Sequence, residues 1–152
     1  MAGNNKPGIF SMVVVIIGLV GCAHFQAMVP QGFAEYEGRS VFKAVSPDGV
    51  VFRVRSVANE PYAELPFWRE ALSTRMRNAG YVLVDSSQIT VADRPTSLVE
   101  LAAPLGNEDQ SYLIAVIFGT KRLVIVEAAG EVLKFRKSKS RIIEAIKKIR
   151  PY

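Results

Sequence analysis

Cysteine and histidine each occur once in this chain of 152 residues, as Cys22 and His24. A single cysteine excludes an intramolecular disulfide framework, and the two residues are too few for a Cys/His metal cluster. A Ser-His-Asp or Cys-His catalytic site would have to use His24. The composition therefore leaves one candidate histidine for such chemistry.

Motifs for catalysis and ligand binding are missing as well. The sequence contains no G-x-S-x-G, H-E-x-x-H, EF-hand loop or G-x-G-x-x-G. Gly119-Thr120-Lys121 lacks the glycine spacing and the following helix of a phosphate loop, so we interpret it as a hairpin turn. Ser40-Val41-Phe42-Lys43 fits S-x-x-K in a predicted strand without partner motifs. Asn107-Glu108-Asp109 offers oxygen ligands of the kind that bind Ca²⁺ weakly, but we favour a solvated loop. We predict no catalytic residue, metal site or cofactor.

The remaining composition is that of a folded protein. Hydrophobic residues make up 49% and charged residues 22% of the chain, which excludes a disordered segment. Glycine (11) and proline (8) are ordinary in number, and the net charge is +5. The length suits one domain.

The N-terminus has the features of an export signal. Lys6 precedes an apolar run over Ile9–Val20, which matches a signal h-region and is shorter than a spanning helix. The run ends in Leu19-Val20-Gly21-Cys22, which resembles the lipobox of bacterial lipoproteins. Open alternatives are an uncleaved anchor or a buried first helix.

This resemblance implies a signal peptide over residues 1–21, cleaved between Gly21 and Cys22. It also implies diacylglycerol and a fatty acyl group such as palmitate on Cys22, as the membrane anchor. Ala23 follows the cysteine, where an aspartate would favour the inner membrane. The implied location is the periplasmic face of the outer membrane.

Residues 22–38 have no helical or strand period and contain Pro30, Gly32 and Gly38, so we expect a lipid-anchored tether. We expect a solvated His24 on this tether. The sequence does not decide between two locations for the apolar side chains of the tether. They either enter the bilayer surface or dock on the domain. These side chains are Phe25, Met28, Val29 and Phe33.

A single domain is predicted over residues 39–152. The first helix has an apolar stripe that includes Trp68, which we expect in the core, and we expect Ser138 or Ser140 to cap the last helix. Residues 85–90 either turn or continue an edge strand. The predicted elements are a hairpin over 39–57 turning at 46–49, helix 65–79, strands 81–84, 97–103, 110–118 and 123–129, and helix 138–149.

Consecutive strands favour an α+β domain in which two main helices pack on an antiparallel sheet of about six strands. This order resembles the PsbP-like fold. The residues that carry the resemblance are Asn78-Ala79-Gly80-Tyr81, Leu98-Val99-Glu100-Leu101, 112–118, 123–127, Ala128-Ala129-Gly130-Glu131, Phe135 and the Ile-rich terminal helix. The resemblance implies a module without enzymatic activity that docks on protein complexes or membranes.

Positive charge is concentrated near the C-terminus. Residues 134–150 contain eight basic side chains and one acidic one, Glu144, for a net charge of +7. They form either a solvated helix face or a surface for anionic lipid headgroups or an acidic partner. The candidate residues are Lys134, Arg136, Lys137, Lys139, Arg141, Lys147, Lys148 and Arg150.

We therefore predict a membrane-anchored envelope lipoprotein that acts as a non-catalytic interaction or assembly module with an envelope protein partner. The alternative is a carrier or sensor of a small apolar ligand or lipid, with Trp68 near the pocket. A carboxylate-based envelope hydrolase is less favoured. Nucleic acid is not an expected partner, because the basic stretch lacks interleaved aromatic residues. The oligomeric state stays open.

Overall fold

The computed structural model describes residues 24–36, 41–105 and 108–152. The predicted signal peptide, the cleavage site at Gly21 and the anchor Cys22 lie outside these ranges. The elements, in chain order, are β1 (Phe25–Gln26), β2 (Ala34–Glu35), β3 (Phe42–Val45), β4 (Val51–Ala58), α1 (Leu65–Asn78), β5 (Val82–Val91), β6 (Arg94–Leu105), β7 (Glu108–Ile117), β8 (Arg122–Glu131), α2 (Val132–Lys147) and β9 (Arg150–Pro151).

The main sheet has seven strands in the order β2-β3-β4-β8-β7-β6-β5, and its strand pairs are antiparallel. The predicted α+β class is confirmed, with β2 as one strand beyond the expected six. Strands β7 and β8 lie inside the sheet as predicted. Leu113–Ile117 of β7 are all buried, because helices cover both faces of this region.

Helices α1 and α2 pack on opposite faces of the sheet. Successive residues of a strand point to opposite faces, so Ile114 and Val116 join the core under α1, while Leu113, Ala115 and Ile117 join the core under α2. The α1 core also contains Leu65, Val99, Leu101, Leu123 and Ile125, with Trp68, Leu72 and Met76 packed against it. The α2 core is larger and includes Phe52, Val54, Phe135, Ile142, Ala145, Ile146 and Ile149.

The predicted turn between β3 and β4 is confirmed. The Ser46 hydroxyl donates to Asp48 and accepts from the backbone N–H of Val50 at 2.8 Å. Gly49 has φ of +91°, a conformation that glycine adopts without a side-chain clash. The turn therefore sets the hairpin that pairs Val45 with Val51.

Helix α2 begins at Val132, six residues before the predicted start, so the prediction that Ser138 or Ser140 caps it is wrong. The Glu131 carboxylate is the actual cap and accepts from the backbone N–H of Leu133 at 2.8 Å. A carboxylate at this position compensates an unpaired amide of the first turn. Ser138 is instead buried in the interface between α2 and the sheet.

Strand β5 resolves an alternative that the sequence left open. Residues 85–90 continue as an edge strand, with a bulge in its pairing to β6 between Leu83 and Asp85. Strands β6 and β7 extend to Leu105 and Glu108. The expected loop over 104–109 is therefore shorter, and Glu108 and Asp109 pair within the sheet.

The segment predicted as a tether packs on the domain over residues 24–36. Phe25, Val29 and Phe33 contact the α2 core, whereas Met28 is exposed. Strand β1 pairs with β9, and the backbone N–H of Tyr152 donates to the carbonyl of His24 at 3.0 Å. Docking is therefore the arrangement found for three of the four apolar side chains, and the described residues 24–36 pack against the domain predicted over 39–152.

Candidate functional site

Helix α2 is divided lengthwise into a buried and an exposed face. Its buried residues are Phe135, Ser138, Ile142, Ala145 and Ile146. Its exposed residues recur at the three- and four-residue spacing of one helix face, opposite the sheet. We call this the α2 outer face, and it consists of Leu133, Arg136, Lys137, Ser140, Glu144, Lys147 and Lys148.

Four of the eight candidate basic residues have partners within the protein. Lys139 forms an ion pair with Glu100, and Lys147 pairs with Glu144 at 3.0 Å. Arg150 donates to two backbone carbonyls at the end of α2. The exposed Lys147–Glu144 pair contributes little to stability, because its charges remain solvated.

Arg141 joins the N-terminal segment to α2. Its guanidinium donates to the carbonyl of Gln31 at 3.1 Å and to the hydroxyl of Ser138 at 2.9 Å. The same group lies 5.9 Å from the ring centroid of Phe33, within cation–π range. Arg141 is therefore half-buried between two elements.

The side chains of the other four candidates form no hydrogen bond or ion pair with any residue in the described ranges. Lys134, Arg136 and Lys137 make up what we call the amino-terminal cluster, beside the 61% exposed side chain of Leu133. Lys148 belongs with Lys147 and Arg150 to the carboxyl-terminal cluster. The two clusters are about 15 Å apart along the helix, at 1.5 Å per residue.

A groove of about 340 Å³ runs between α2 and the N-terminal segment. Met28, Val29 and Pro30 give it one apolar wall, and Arg141 and Lys148 place cations along the other. Its full lining is Met28, Val29, Pro30, Gln31, Ser140, Arg141, Glu144, Ala145 and Lys148. Sequence reasoning missed this groove because no local pattern places residues 28–31 beside 140–148.

A second polar cluster lies on the α1 side of the sheet and was also missed. The Tyr112 hydroxyl donates to the Glu127 carboxylate at 2.7 Å, and Arg55 lies 3.4 Å from the other oxygen of Glu127. Burial, and then the hydrogen bond to Glu127, raise the pKa of Tyr112 well above its usual range. Tyr112 is therefore held neutral, as a donor to a carboxylate that Arg55 also neutralises.

Trp68 lies where the sequence predicted, against the α1 core. Its indole N–H donates to the side-chain oxygen of Asn59 at 2.8 Å. Asn59, which sequence reasoning did not single out, is buried and also bonds Ala63 and the carbonyl of Gly119. These contacts connect α1 to the turn between β7 and β8.

The acidic residues do not assemble into a metal site in the part of the chain that the structure describes. Glu108 and Asp109 lie on β7, and Asn107 is outside the described residues. No described helix is long and apolar enough to cross a membrane.

Neither protein-family models nor curated proteins match this chain. Solved structures do. CyanoP, the cyanobacterial PsbP of Synechocystis sp. PCC 6803, is 13% identical over 89% of this chain and 96% of its own, with a TM-score of 0.59. LpqN of Mycobacterium tuberculosis, a protein involved in cell envelope biogenesis, is 9% identical over 82% and 81%, with a TM-score of 0.65.

PA94 of Pseudomonas aeruginosa, a protein of unknown function, is 13% identical over 79% of this chain and 97% of its own, with a TM-score of 0.58. At identities this low, the TM-scores show a common fold and nothing about function. The fold of this chain is therefore PsbP-like, as the order of its strands and helices predicted.

Proposed function

We propose that the protein is a lipid-anchored module of the cell envelope that binds a partner protein without catalysing a reaction. Cys22 carries the diacylglycerol and fatty acyl anchor in this proposal, and the domain faces the periplasm from the outer membrane. The role of LpqN in cell envelope biogenesis, in a protein of the same fold, supports a place in the envelope.

One observation carries the proposal. The chain end that leads to Cys22 joins the domain at the carboxyl-terminal end of α2, where the Tyr152 N–H donates to the His24 carbonyl. The amino-terminal cluster lies at the other end of α2, about 15 Å along the helix from the carboxyl-terminal cluster. A protein in the periplasm can approach this end without meeting the membrane.

The amino-terminal cluster has the chemistry of an interface for an acidic partner. Arg136 and Lys137 are exposed, and their side chains form no ion pair within the described residues. Leu133 adds an exposed apolar side chain on the same helix face. An acidic surface would gain complementary charge, which increases the association rate and the specificity of binding.

In-cell crosslinking of the anchored protein, followed by mass spectrometry, tests this proposal. We expect one envelope protein to be captured by the wild type and lost with mislocalised Cys22→Ala. Arg136→Glu with Lys137→Glu should reduce capture while circular dichroism stays unchanged. Reciprocal capture from the tagged partner is the confirming control.

Two results would contradict the proposal separately. An unmodified Cys22 in purified membranes would remove the lipid anchor. Correct membrane localisation with no specific crosslink, or a crosslink that the charge reversal leaves unchanged, would remove the assigned partner surface.

A further inference from the structure

We infer that the carboxyl-terminal cluster of α2 binds anionic lipid headgroups of the same membrane that holds the anchor. This inference rests on the proposed function, because it takes Cys22 as the point of attachment. The basic residues then have two functions. Lys147, Lys148 and Arg150 bind the membrane, and the amino-terminal cluster faces away from the membrane and binds the partner protein.

The length of chain between the anchor and the domain is the first argument. His24 is the first described residue and its carbonyl is bonded to Tyr152. Two residues span at most about 7 Å, and the headgroup layer of one leaflet is roughly 6 Å thick. An acylated Cys22 therefore holds His24 within or beside the headgroups.

The position of the cluster relative to this chain end is the second argument. Gln26 pairs directly with Arg150 across β1 and β9. The Arg150 guanidinium donates to the carbonyl of Lys147 at 3.3 Å, so these groups surround one corner of the domain. At physiological ionic strength, charges interact over about 8 Å, so the cluster attracts anionic headgroups once the anchor brings this corner within that distance.

The surface at this corner has the composition of a membrane contact. Tyr152 is 73% exposed and Met28 is 53% exposed beside the groove, which supplies apolar groups next to the cations. Arg141 and Lys148 line that groove and can hold a lipid phosphate. Glu144 is the acidic residue of the groove, and Lys147 neutralises it.

A protein partner fits this corner less well than a membrane does. The anchor brings the bilayer to the corner permanently, so a protein would have to separate the domain from its own membrane. The alternative of an uncleaved N-terminus leads to the same geometry, because its apolar run ends at Val20, four residues before His24.

The test uses the full lipidated chain, reconstituted in vesicles of phosphatidylcholine with or without phosphatidylglycerol. A nitroxide is attached at Tyr152→Cys, or at Leu133→Cys as the matched position at the other end of α2, since both side chains are exposed. Collisions with a nickel-chelating lipid report distance from the headgroups. Mass spectrometry of Cys22 and flotation with neutral vesicles are checked first.

We expect phosphatidylglycerol to bring the label at position 152 closer to the headgroups and to leave the label at 133 remote. Lys147→Glu with Lys148→Glu should lower the ratio of docked to undocked protein by at least about 30-fold, because two cation contacts are lost and two carboxylates are added. Arg136→Glu with Lys137→Glu, the same change of charge, should leave it unaltered. Molar salt should reproduce the effect of the first pair.

Several outcomes overturn the inference. If the collision rate of the label at position 152 does not change with phosphatidylglycerol, with salt or with the Lys147/Lys148 reversal, the end of α2 is solvated and does not contact the membrane. If that reversal instead abolishes in-cell crosslinks to a protein and leaves the collisions unchanged, the cluster is a protein interface. Failure to float with neutral vesicles contradicts the anchor, and hence the proposed function, before the headgroup question arises.

Discussion

Trp68 donates its indole N–H to the side-chain oxygen of Asn59 at 2.8 Å, and this bond connects helix α1 to the loop that precedes it. Asn59 is 3% exposed, and its amide also donates to the carbonyls of Ala63 and Gly119. A buried amide with all of its bonds formed holds three chain segments in one arrangement.

We predict that Asn59→Ala lowers the free energy of unfolding by about 2–4 kcal/mol, because it leaves buried polar groups without partners. Urea unfolding followed by circular dichroism measures the change. Asn78→Ala, at the exposed end of α1, is the control and should stay within about 0.5 kcal/mol of the wild type. Equal midpoints for both variants would contradict the assigned role of Asn59.

The hydroxyl of Tyr112 makes the free energy of unfolding decrease as the pH rises in the alkaline range. Burial and the Glu127 hydrogen bond raise its pKa in the folded protein above the ordinary value of 10.0. The unfolded chain therefore releases this proton first, and the contribution of Tyr112 is complete below pH 10 and is lost as pH rises above it.

The measurement is urea unfolding between pH 9 and pH 11, about one unit either side of an ordinary tyrosine pKa. Tyr112→Phe should be less stable by about 1–2 kcal/mol at neutral pH, with a smaller decline toward alkaline pH. Tyr36→Phe, at an exposed tyrosine, should keep the decline of the wild type. Parallel pH curves for wild type and Tyr112→Phe would disprove the coupling.

Gly32 holds the N-terminal segment against α2. Its φ is +79°, and a Cβ atom there would lie 2.6 Å from a guanidinium nitrogen of Arg141. Gly32→Ala should cost about 1 kcal/mol or more and raise hydrogen exchange across residues 24–36. The groove narrows or opens with this segment, because Met28–Gln31 form one of its walls.

Gly49→Ala is the matched control for this prediction. Gly49 has φ of +91° and open space where a Cβ would lie, so the substitution strains a turn without touching Arg141. Exchange over residues 24–36 should then stay as in the wild type. The same exchange pattern in both variants would refute the role of the Gly32–Arg141 contact.

Strand β5 is an edge of the main sheet and exposes three consecutive apolar side chains, Val82, Leu83 and Val84. Long apolar edges promote pairing between molecules. Val84→Lys should reduce this pairing. The protein concentration at which aggregation becomes detectable by light scattering should rise several-fold. The free energy of unfolding should change by less than about 0.5 kcal/mol, because the side chain is exposed.

Ala71→Lys adds the same charge on the exposed surface of α1 instead of on β5. It should leave the scattering threshold near that of the wild type. A matching rise in both variants would assign the effect to net charge and contradict pairing through β5.

Local signals predicted most of the fold. The turn over 46–49, the start of α1 at Leu65 and the apolar stripe that includes Trp68 each depend on neighbours in sequence, and each was confirmed. The predicted start of α2 at Ser138 was wrong. Serine is the commoner N-cap residue, but the Glu131 carboxylate caps this helix. Propensity does not decide between two such caps.

Contacts between distant segments had no such signal. The pairing of Phe25 with Pro151 and the reach of Arg141 to Gln31 exist only in the folded chain. The basic residues were recognised from charge alone, but their division into two clusters follows from the length of α2 and the position of His24. Asn59 is a single polar residue, and its contacts with Trp68 and Gly119 form only when the chain folds, so no local pattern indicates its role.

The bond between His24 and Tyr152 also makes this domain suitable for circular permutation. Joining these two positions with a short linker and opening the chain at the exposed residues Pro47 and Asp48 would keep both helices on their faces of the sheet. In the proposed lipoprotein, a new N-terminus in that turn would carry the lipid on a different part of the domain. The order of the strands along the chain would change, and with it the side of the protein that faces the bilayer.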